Sequence, residues 1–153
     1  MMYQFEKLKV WQESLLFLEH AYRIISKLPS SERSNLSDQL RRSATSILLN
    51  IAEGSGTESP KEFLRFLYIA RKSYYEVIAI LKIIEKLYNV DLDESFRQME
   101  IVGKLLNGLI NSLKTNFAGI AQLARASHCQ CEGRGFEPRF PLNIGLHLQK
   151  SPF

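Results

Sequence analysis

The first helical segment of this chain carries two apolar stripes instead of one. Both follow the three- and four-residue spacing of an α-helix, and they lie roughly 100° or more apart around its axis. A soluble helix that is apolar on two sides needs neighbours on both. We therefore expect a helical bundle in which one stripe faces the core of the chain and the other contacts a second copy. The stripe expected to face the core is Leu8, Trp11, Leu15, Leu18, Tyr22 and Ile25, and the stripe expected at the interface is Val10, Phe17, Ala21, Ile24 and Leu28.

Proline, glycine and capping signals divide the rest of the chain into three more helices. Pro29 ends the first helix, because proline disfavours a helical conformation in the residue before it. Gly54-Ser55-Gly56 is expected to end the second through the left-handed conformation that glycine adopts readily. Ser59-Pro60-Lys61-Glu62 is a capping box that begins the third. The predicted helices cover about residues 7–28, 36–56, 60–88 and 91–114.

Four helices with short links predict an all-α four-helix bundle over residues 1–114. The third helix, like the first, has a second apolar set away from its main face, and we add Ile69, Ile80 and Ile83 to the expected oligomer interface. The alternative is that these second sets are scattered surface residues or are covered by the tail. Residues 115–153 lose the helical period, carry several glycines and prolines, and are expected to form an irregular tail outside the bundle.

The residue types of several enzyme classes are missing. His20 is the only histidine before residue 115 and no Glu-x-x-His repeat occurs, so we expect no di-metal centre, no catalytic residues and no cofactor. His128, Cys129 and Cys131 lie close together in sequence, but no second cluster completes a tetrahedral metal site, which favours chance proximity. No membrane-spanning run or signal peptide is recognisable, and the expected location is the cytoplasm.

Basic residues concentrate in the middle of the chain, where residues 23–72 hold 9 Lys/Arg against 5 Asp/Glu. Cations interleaved with aromatic rings suit a phosphate backbone and stacked bases, although the same pattern occurs at protein interfaces. Helix 2 has a polar arc that is either a contact surface or a buried hydrogen-bonded network. The arc consists of Gln39, Arg42, Ser43, Ser46, Asn50 and Glu53. The candidate nucleic-acid-binding residues are Arg41, Arg42, Arg65, Tyr68, Arg71, Lys72 and Tyr75.

Four strings resemble a known family. They are FEKLKVWQ at residues 5–12, LSDQLRRSATSILLNIAEGSG at 36–56, FLYIARKSYYE at 66–76 and LLNGLINSL at 105–113. The chain resembles the bacterial four-helix bundle proteins encoded in intervening sequences of 23S ribosomal RNA genes. This resemblance implies an antiparallel up-and-down four-helix bundle that assembles into a ring-like homopentamer. Similar proteins serve diversity-generating retroelements, where they contact reverse transcriptase and nucleic acid, so the resemblance implies RNA or a reverse transcriptase as partner.

The tail has a resemblance of its own. IAQLARA at residues 120–126 and GRGFEP at residues 133–138 resemble the conceptual translation of a transfer RNA gene, which implies that the reading frame runs on into a neighbouring gene.

The bundle, the basic residues and the family resemblance together lead to a non-enzymatic, homo-oligomeric scaffold that binds RNA or an RNA–protein complex. The alternative is a structural or protein-interaction oligomer without affinity for nucleic acid.

Overall fold

The predicted four-helix bundle is confirmed. The structure, a computed structural model, describes the backbone of residues 2–129 and the side chains of residues 2–116. Its helices are α1 (Lys9–Lys27), α2 (Leu36–Ser55), α3 (Pro60–Tyr88) and α4 (Asp93–Cys129), and two single 3₁₀ turns, Phe5–Lys7 and Ser30–Glu32, precede α1 and α2. Within the described residues there is no strand. The bundle lies in the compact unit Met1–Ala118.

The fourth helix is longer than the apolar pattern predicted. Helical backbone continues past Lys114 as far as Cys129. The added stretch contains several alanines together with leucine, glutamine and arginine, and it lacks proline, so its backbone propensity favours a helix even though its apolar period fades. The rest of the predicted tail, including Cys131 and the string GRGFEP, lies outside the described residues.

Hydrogen bonds between neighbouring helices define the up-and-down order. The hydroxyls of Ser46 on α2 and Ser73 on α3 are 2.8 Å apart. The amide of Gln98 on α4 donates to the backbone carbonyl and the carboxylate of Glu13 on α1, both at 2.9 Å. Because α4 closes against α1, the first and last helices of the bundle are neighbours, and all four helices surround one apolar core.

The stripe of α1 that was predicted at the oligomer interface lies in the core of the single chain instead. Val10, Phe17, Ala21 and Ile24 belong to the core of the single chain, Phe17 being only 1% exposed, and Leu28 packs against that core half-buried. Ile80 on α3 is buried as well. Of the expected interface residues only Ile69 and Ile83 are exposed.

The sizes and polar groups of the side chains explain why this stripe of α1, and not the other, is buried. Ala21 and the buried Ser14, whose hydroxyl donates to the Val10 carbonyl, are small enough to let the neighbouring helices approach α1 closely. The other stripe contains Trp11 and Tyr22, whose ring N–H and hydroxyl favour a boundary with water. In the structure this outer stripe is half-buried at Trp11 and Leu18, and it is 40% exposed at Leu15 and 51% at Tyr22.

The capping prediction is confirmed at α3, and the predicted end of α2 is confirmed without the left-handed glycine that was expected to cause it. Ser59 precedes α3 with its hydroxyl accepting a hydrogen bond from the Glu62 amide at 3.4 Å, and Pro60 is the first helical residue. Gly56 after α2 has φ −86°, and no described glycine has a positive φ. Gly54 is needed for space instead, because a Cβ there would lie 2.5 Å from Cδ2 of Phe63 and 2.8 Å from Cβ of Phe66.

A hydrogen bond between distant residues links the α1–α2 connection to the end of α3. The Tyr88 hydroxyl donates to Oε1 of Glu32 at 2.7 Å. This bond is the main cause that lowers the pKa of Glu32, and further bonds from Leu36 and Asn35 act in the same direction. The same bond raises the pKa of Tyr88.

Replacing Tyr88 by phenylalanine should therefore destabilise the bundle in a pH-dependent way. A carboxyl group whose pKa is lowered by folding stabilises the folded state at pH values above its ordinary pKa near 4.5, and this stabilisation is lost as the pH falls through the lowered pKa. A tyrosine whose pKa is raised by folding stabilises the folded state at pH values below its ordinary pKa near 10.0, and this stabilisation is lost as the pH rises through the raised pKa. Melting curves should show Tyr88→Phe below the wild type at neutral pH and equal to it at strongly acid pH. A difference in melting temperature that is the same at all pH values would contradict this assignment.

Candidate nucleic-acid interface

Among the four helices, α3 has the largest excess of basic over acidic residues. This helix holds six Lys/Arg against three Asp/Glu. It packs on α2 through Ser73 and on α4 through Tyr74. Its charged residues lie on the remaining side, which faces away from the core. The core positions Leu67, Ala70 and Val77 fix the rotation of the helix, because all are fully buried. That rotation brings the predicted α3 residues Arg65, Tyr68, Arg71, Lys72 and Tyr75 onto one side.

Two cations lie over the ring of Tyr68. The guanidinium carbon of Arg71 is 5.0 Å from the ring centroid, and Nζ of Lys114 on α4 is 5.4 Å from it. Both distances are within the range of a cation–π interaction, which holds long side chains near an aromatic ring without consuming their hydrogen-bond donors. The N–H groups of Arg71 and Lys114 can therefore still bind an anion beside Tyr68.

Arg65 extends this basic site towards the start of α3. Together with Tyr68 and Lys61 it lines a shallow cavity of about 570 Å³. Its guanidinium lies 4.9 Å from the ring centroid of Phe66 and 3.8 Å from a carboxylate oxygen of Glu62. Arg65 and Glu62 are both well exposed, and such pairs contribute little energy, so Glu62 competes only weakly with a phosphate for Arg65.

Tyr75 presents an exposed aromatic ring in the same region. It is 61% exposed, and its ring meets that of Tyr74 edge-on with the centroids 5.3 Å apart. Tyr74 is anchored against α4, where a Cβ at Gly103 would lie 2.5 Å from its hydroxyl oxygen. Burial raises the pKa of Tyr74, with smaller contributions from Tyr75 and Glu100. Tyr74 thus stays neutral and holds the Tyr75 ring in an orientation open to a stacking partner.

The two arginines of α2 lie on the helix beside this surface and share one carboxylate. Arg41 and Arg42 both pair with Asp38, at 3.4 and 3.3 Å. Because Ser46 lies level with Ser73 and the two helices are antiparallel, Arg42 is level with about residue 77 of α3, roughly 3 Å along the axis from Tyr75 and about 18 Å from Arg65 at 1.5 Å per residue. Arg41 lines a cavity beside the end of α1 and also shares a groove with Arg42. The five α3 residues of the predicted surface share one side of their helix, and the contribution of Arg41 and Arg42 stays a prediction.

The polar arc of α2 forms a network inside the bundle. Nδ2 of Asn50 donates to the Ser46 carbonyl at 2.8 Å and to the Ser46 hydroxyl at 3.1 Å, and that hydroxyl in turn meets Ser73. Buried Ser43 donates to the Gln39 carbonyl at 2.8 Å. These bonds favour the buried-network interpretation over the contact-surface interpretation for Ser43, Ser46 and Asn50.

Two residues of the α3 surface were missed in the sequence. Lys114 lies on α4, and only the packing of α4 against α3 brings it to Tyr68. Lys61 follows the helix-starting Pro60, and its spacing of four from Arg65 places both on one face, a signal that could have been used.

In the part of the chain described, no group of three or more His, Cys, Asp and Glu side chains could hold a metal ion. None of the helices described there is long and apolar enough to span a bilayer.

Comparison with known proteins gives a family match and a structural neighbour. The model of a family described as 23S rRNA-intervening sequence protein matches residues 6–111. Among matching solved structures is the crystal structure of a protein of unknown function from the S23 ribosomal protein family of Bacteroides thetaiotaomicron. It has 25% sequence identity and a TM-score of 0.57, and the match covers 69% of this chain and 98% of that one. None of the curated proteins matches the sequence.

Proposed function

This chain belongs to the family of 23S rRNA-intervening sequence proteins, and from that membership and the surface of α3 we propose a non-enzymatic, homo-oligomeric scaffold that binds RNA or an RNA–protein complex. One observation carries the RNA part of the proposal. Tyr68 lies beneath Arg71 and Lys114, and Lys72 and the exposed ring of Tyr75 follow on the same side of α3. Cations bind the phosphates of a strand, and tyrosine rings stack on its bases.

This arrangement favours single-stranded RNA over a duplex. The bases of a duplex are stacked on each other and offer no free face to a tyrosine, whereas those of a loop or a strand do. Tyr68 and Tyr75 are about 10 Å apart along the helix, so they can serve separate nucleotides, with Arg71 and Lys72 between them for the phosphates. A reverse transcriptase or another RNA-binding protein remains a partner that we propose through such a bound RNA.

We predict that the double variant Arg71→Gln/Lys72→Gln weakens binding of a single-stranded oligoribonucleotide. Each phosphate contact to a single strand contributes about 0.7 to the slope of log affinity against log salt, so the loss of two should reduce that slope by about 1.4. Fluorescence anisotropy over a salt series measures both quantities.

The matched control is Arg23→Gln/Lys27→Gln, which removes the same charge from α1. A protein that binds only through its overall charge should lose equal affinity in both double variants, and this result would contradict an α3 site. Absence of binding to any structured or single-stranded RNA at low salt would leave the structural oligomer as the function.

The outer stripe of α1 supports the oligomeric part of the proposal and also the alternative function. Leu15 and Tyr22 are exposed beside the half-buried Trp11 and Leu18, and Ile69 and Ile83 are exposed on α3. An apolar stripe along a whole surface helix is typical of a protein interface. We propose that a second copy covers the outer stripe, in the homopentamer that the family resemblance implies. A purely structural oligomer would use the same stripe without the α3 surface.

A further inference from the structure

A cavity at the α1–α2 end of the bundle has the residue types of a phosphate site. Its volume is about 300 Å³, and it lies between the end of α1 and the first turns of α2. Two guanidinium groups, Arg33 and Arg41, and three serine hydroxyls contribute to its wall, with no acidic side chain among the lining residues. The lining is completed by Ile25, Ser26, Leu28, Pro29, Ser30 and Ser37.

Ser37 is the residue that distinguishes this cavity from an ordinary surface cleft. It is 3% exposed, and its hydroxyl has no hydrogen-bond partner among the described side chains and backbone. No fully covered side-chain oxygen in that part of the chain lacks a partner, so the Ser37 hydroxyl has access to the cavity itself. An accessible hydroxyl on an otherwise buried residue can donate its hydrogen bond to water or to a ligand that occupies the cavity.

The electrostatics of the cavity favour an anion. Asp38 neutralises the positive charge of Arg41 only in part, because the same carboxylate also pairs with Arg42. The nearby Glu32 is occupied by Tyr88, Asn35 and the Leu36 amide. Ser37 also lies in the first turn of α2, where helical N–H groups add partial positive charge.

A larger cavity elsewhere in the bundle provides a contrast. It has a volume of about 430 Å³ and is lined by His20, Arg23, Lys27 and Arg97, but Asp91, Asp93 and Glu94 share the same wall. Its acidic residues offset its basic ones. The α1–α2 cavity, by contrast, combines two arginines and the unpaired Ser37 hydroxyl with no carboxylate among its lining residues.

We propose that Arg33, Arg41 and Ser37 bind a phosphate group, either free phosphate or a phosphomonoester. The planar guanidinium groups suit bidentate recognition of phosphate oxygens, and the Ser37 hydroxyl supplies a further donor. A phosphomonoester also fits the size of the cavity, because it leaves room for the first part of the group that it is attached to. The site does not depend on the α3 surface and is separate from the RNA interface proposed above.

The test uses the full chain and inorganic phosphate as the probe, with binding measured by calorimetry at constant ionic strength against chloride. Arg33→Gln and Arg41→Gln should each weaken phosphate binding at least about tenfold, since each removes a charge-assisted hydrogen bond. The matched control is Arg97→Gln, which removes an arginine from the contrasting cavity that also contains Asp91, Asp93 and Glu94, and it should change the affinity less than about twofold.

Equal weakening in all three variants, or no saturable phosphate binding by the wild type, would overturn the proposal. A second arm identifies the source of the phosphate. Preference for an oligoribonucleotide with a 5′ phosphate over the same strand with a 5′ hydroxyl, abolished by Arg41→Gln, points to an RNA end. Equal affinity for the two strands together with phosphate binding points to a small phosphorylated ligand. Both results support the site, and both are independent of the Arg71→Gln/Lys72→Gln outcome.

Discussion

Gly54→Ala should destabilise the bundle by about 2 kcal/mol and lower its melting temperature by about 10 °C. The added methyl group would meet Cδ2 of Phe63 at 2.5 Å and Cβ of Phe66 at 2.8 Å. The Phe63 ring can rotate, but Cβ of Phe66 is attached directly to the backbone of α3, so α2 and α3 must separate. Alanine is a better helix former than glycine, and this gain of at most about 1 kcal/mol is smaller than the cost of the overlap.

Gly108→Ala is the matched control for this experiment. A Cβ at Gly108 has no atom within 4 Å, and the residue is exposed on α4. The same substitution should therefore stabilise the protein by about 1 kcal/mol through helix propensity alone. Chemical denaturation monitored by circular dichroism measures both variants. If both move the midpoint in the same direction, the contact between Gly54 and α3 does not control the stability.

Glutamate substitutions at three successive residues of α1 should have three different results. Leu15→Glu places a charge in the outer stripe and should separate the oligomer into single folded subunits, because the charge would be desolvated at the interface. Leu16→Glu should change neither assembly nor helicity, since Leu16 is 47% exposed and lies about 100° from Leu15 around the helix. Phe17→Glu should unfold the bundle, with a cost of about 4 kcal/mol or more for a charge in the core.

Light scattering and circular dichroism together distinguish these results. Leu15→Glu should lower the mass while keeping the helical signal, Leu16→Glu should keep both, and only Phe17→Glu should lose the helical signal. A wild-type chain that is a monomer at micromolar concentration would contradict the proposed oligomer. Equal behaviour of Leu15→Glu and Leu16→Glu in an oligomeric wild type would place the interface elsewhere on the bundle.

The sequence was sufficient for the elements of the fold and insufficient for the orientation of α1. Ser59, Pro60 and Glu62 mark the start of α3 because capping depends on local chemistry. The orientation of α1 depends on which of two equally apolar stripes the other helices cover, and hydrophobic period carries no information on that choice. The polar atoms of Trp11 and Tyr22, and the small side chains of Ser14 and Ala21, were the available signals for it.

The candidate sites show a similar division. The five predicted residues of α3 share one side because they belong to one helix, and periodicity predicts such neighbours well. The grouping of Arg41 and Arg42 with them stays a prediction, because charge alone does not fix the rotation of α2 or its register against α3. The pairing of Ser37 with Arg41 at a spacing of four was visible in the sequence, but Arg33 reaches the same cavity only through the turn before α2.

The closure of α4 against α1 has a consequence for the synthesis of the chain. Gln98 and Ser95 contact Glu13 and His20 on α1, and the core around the inner stripe of α1 includes Met99 from α4. A ribosome releases α1 first and α4 last, so α2 can pack on α1 early, whereas the part of the core that α4 covers stays open until the bundle is nearly complete. During that interval the nascent protein exposes apolar surface and is prone to aggregate.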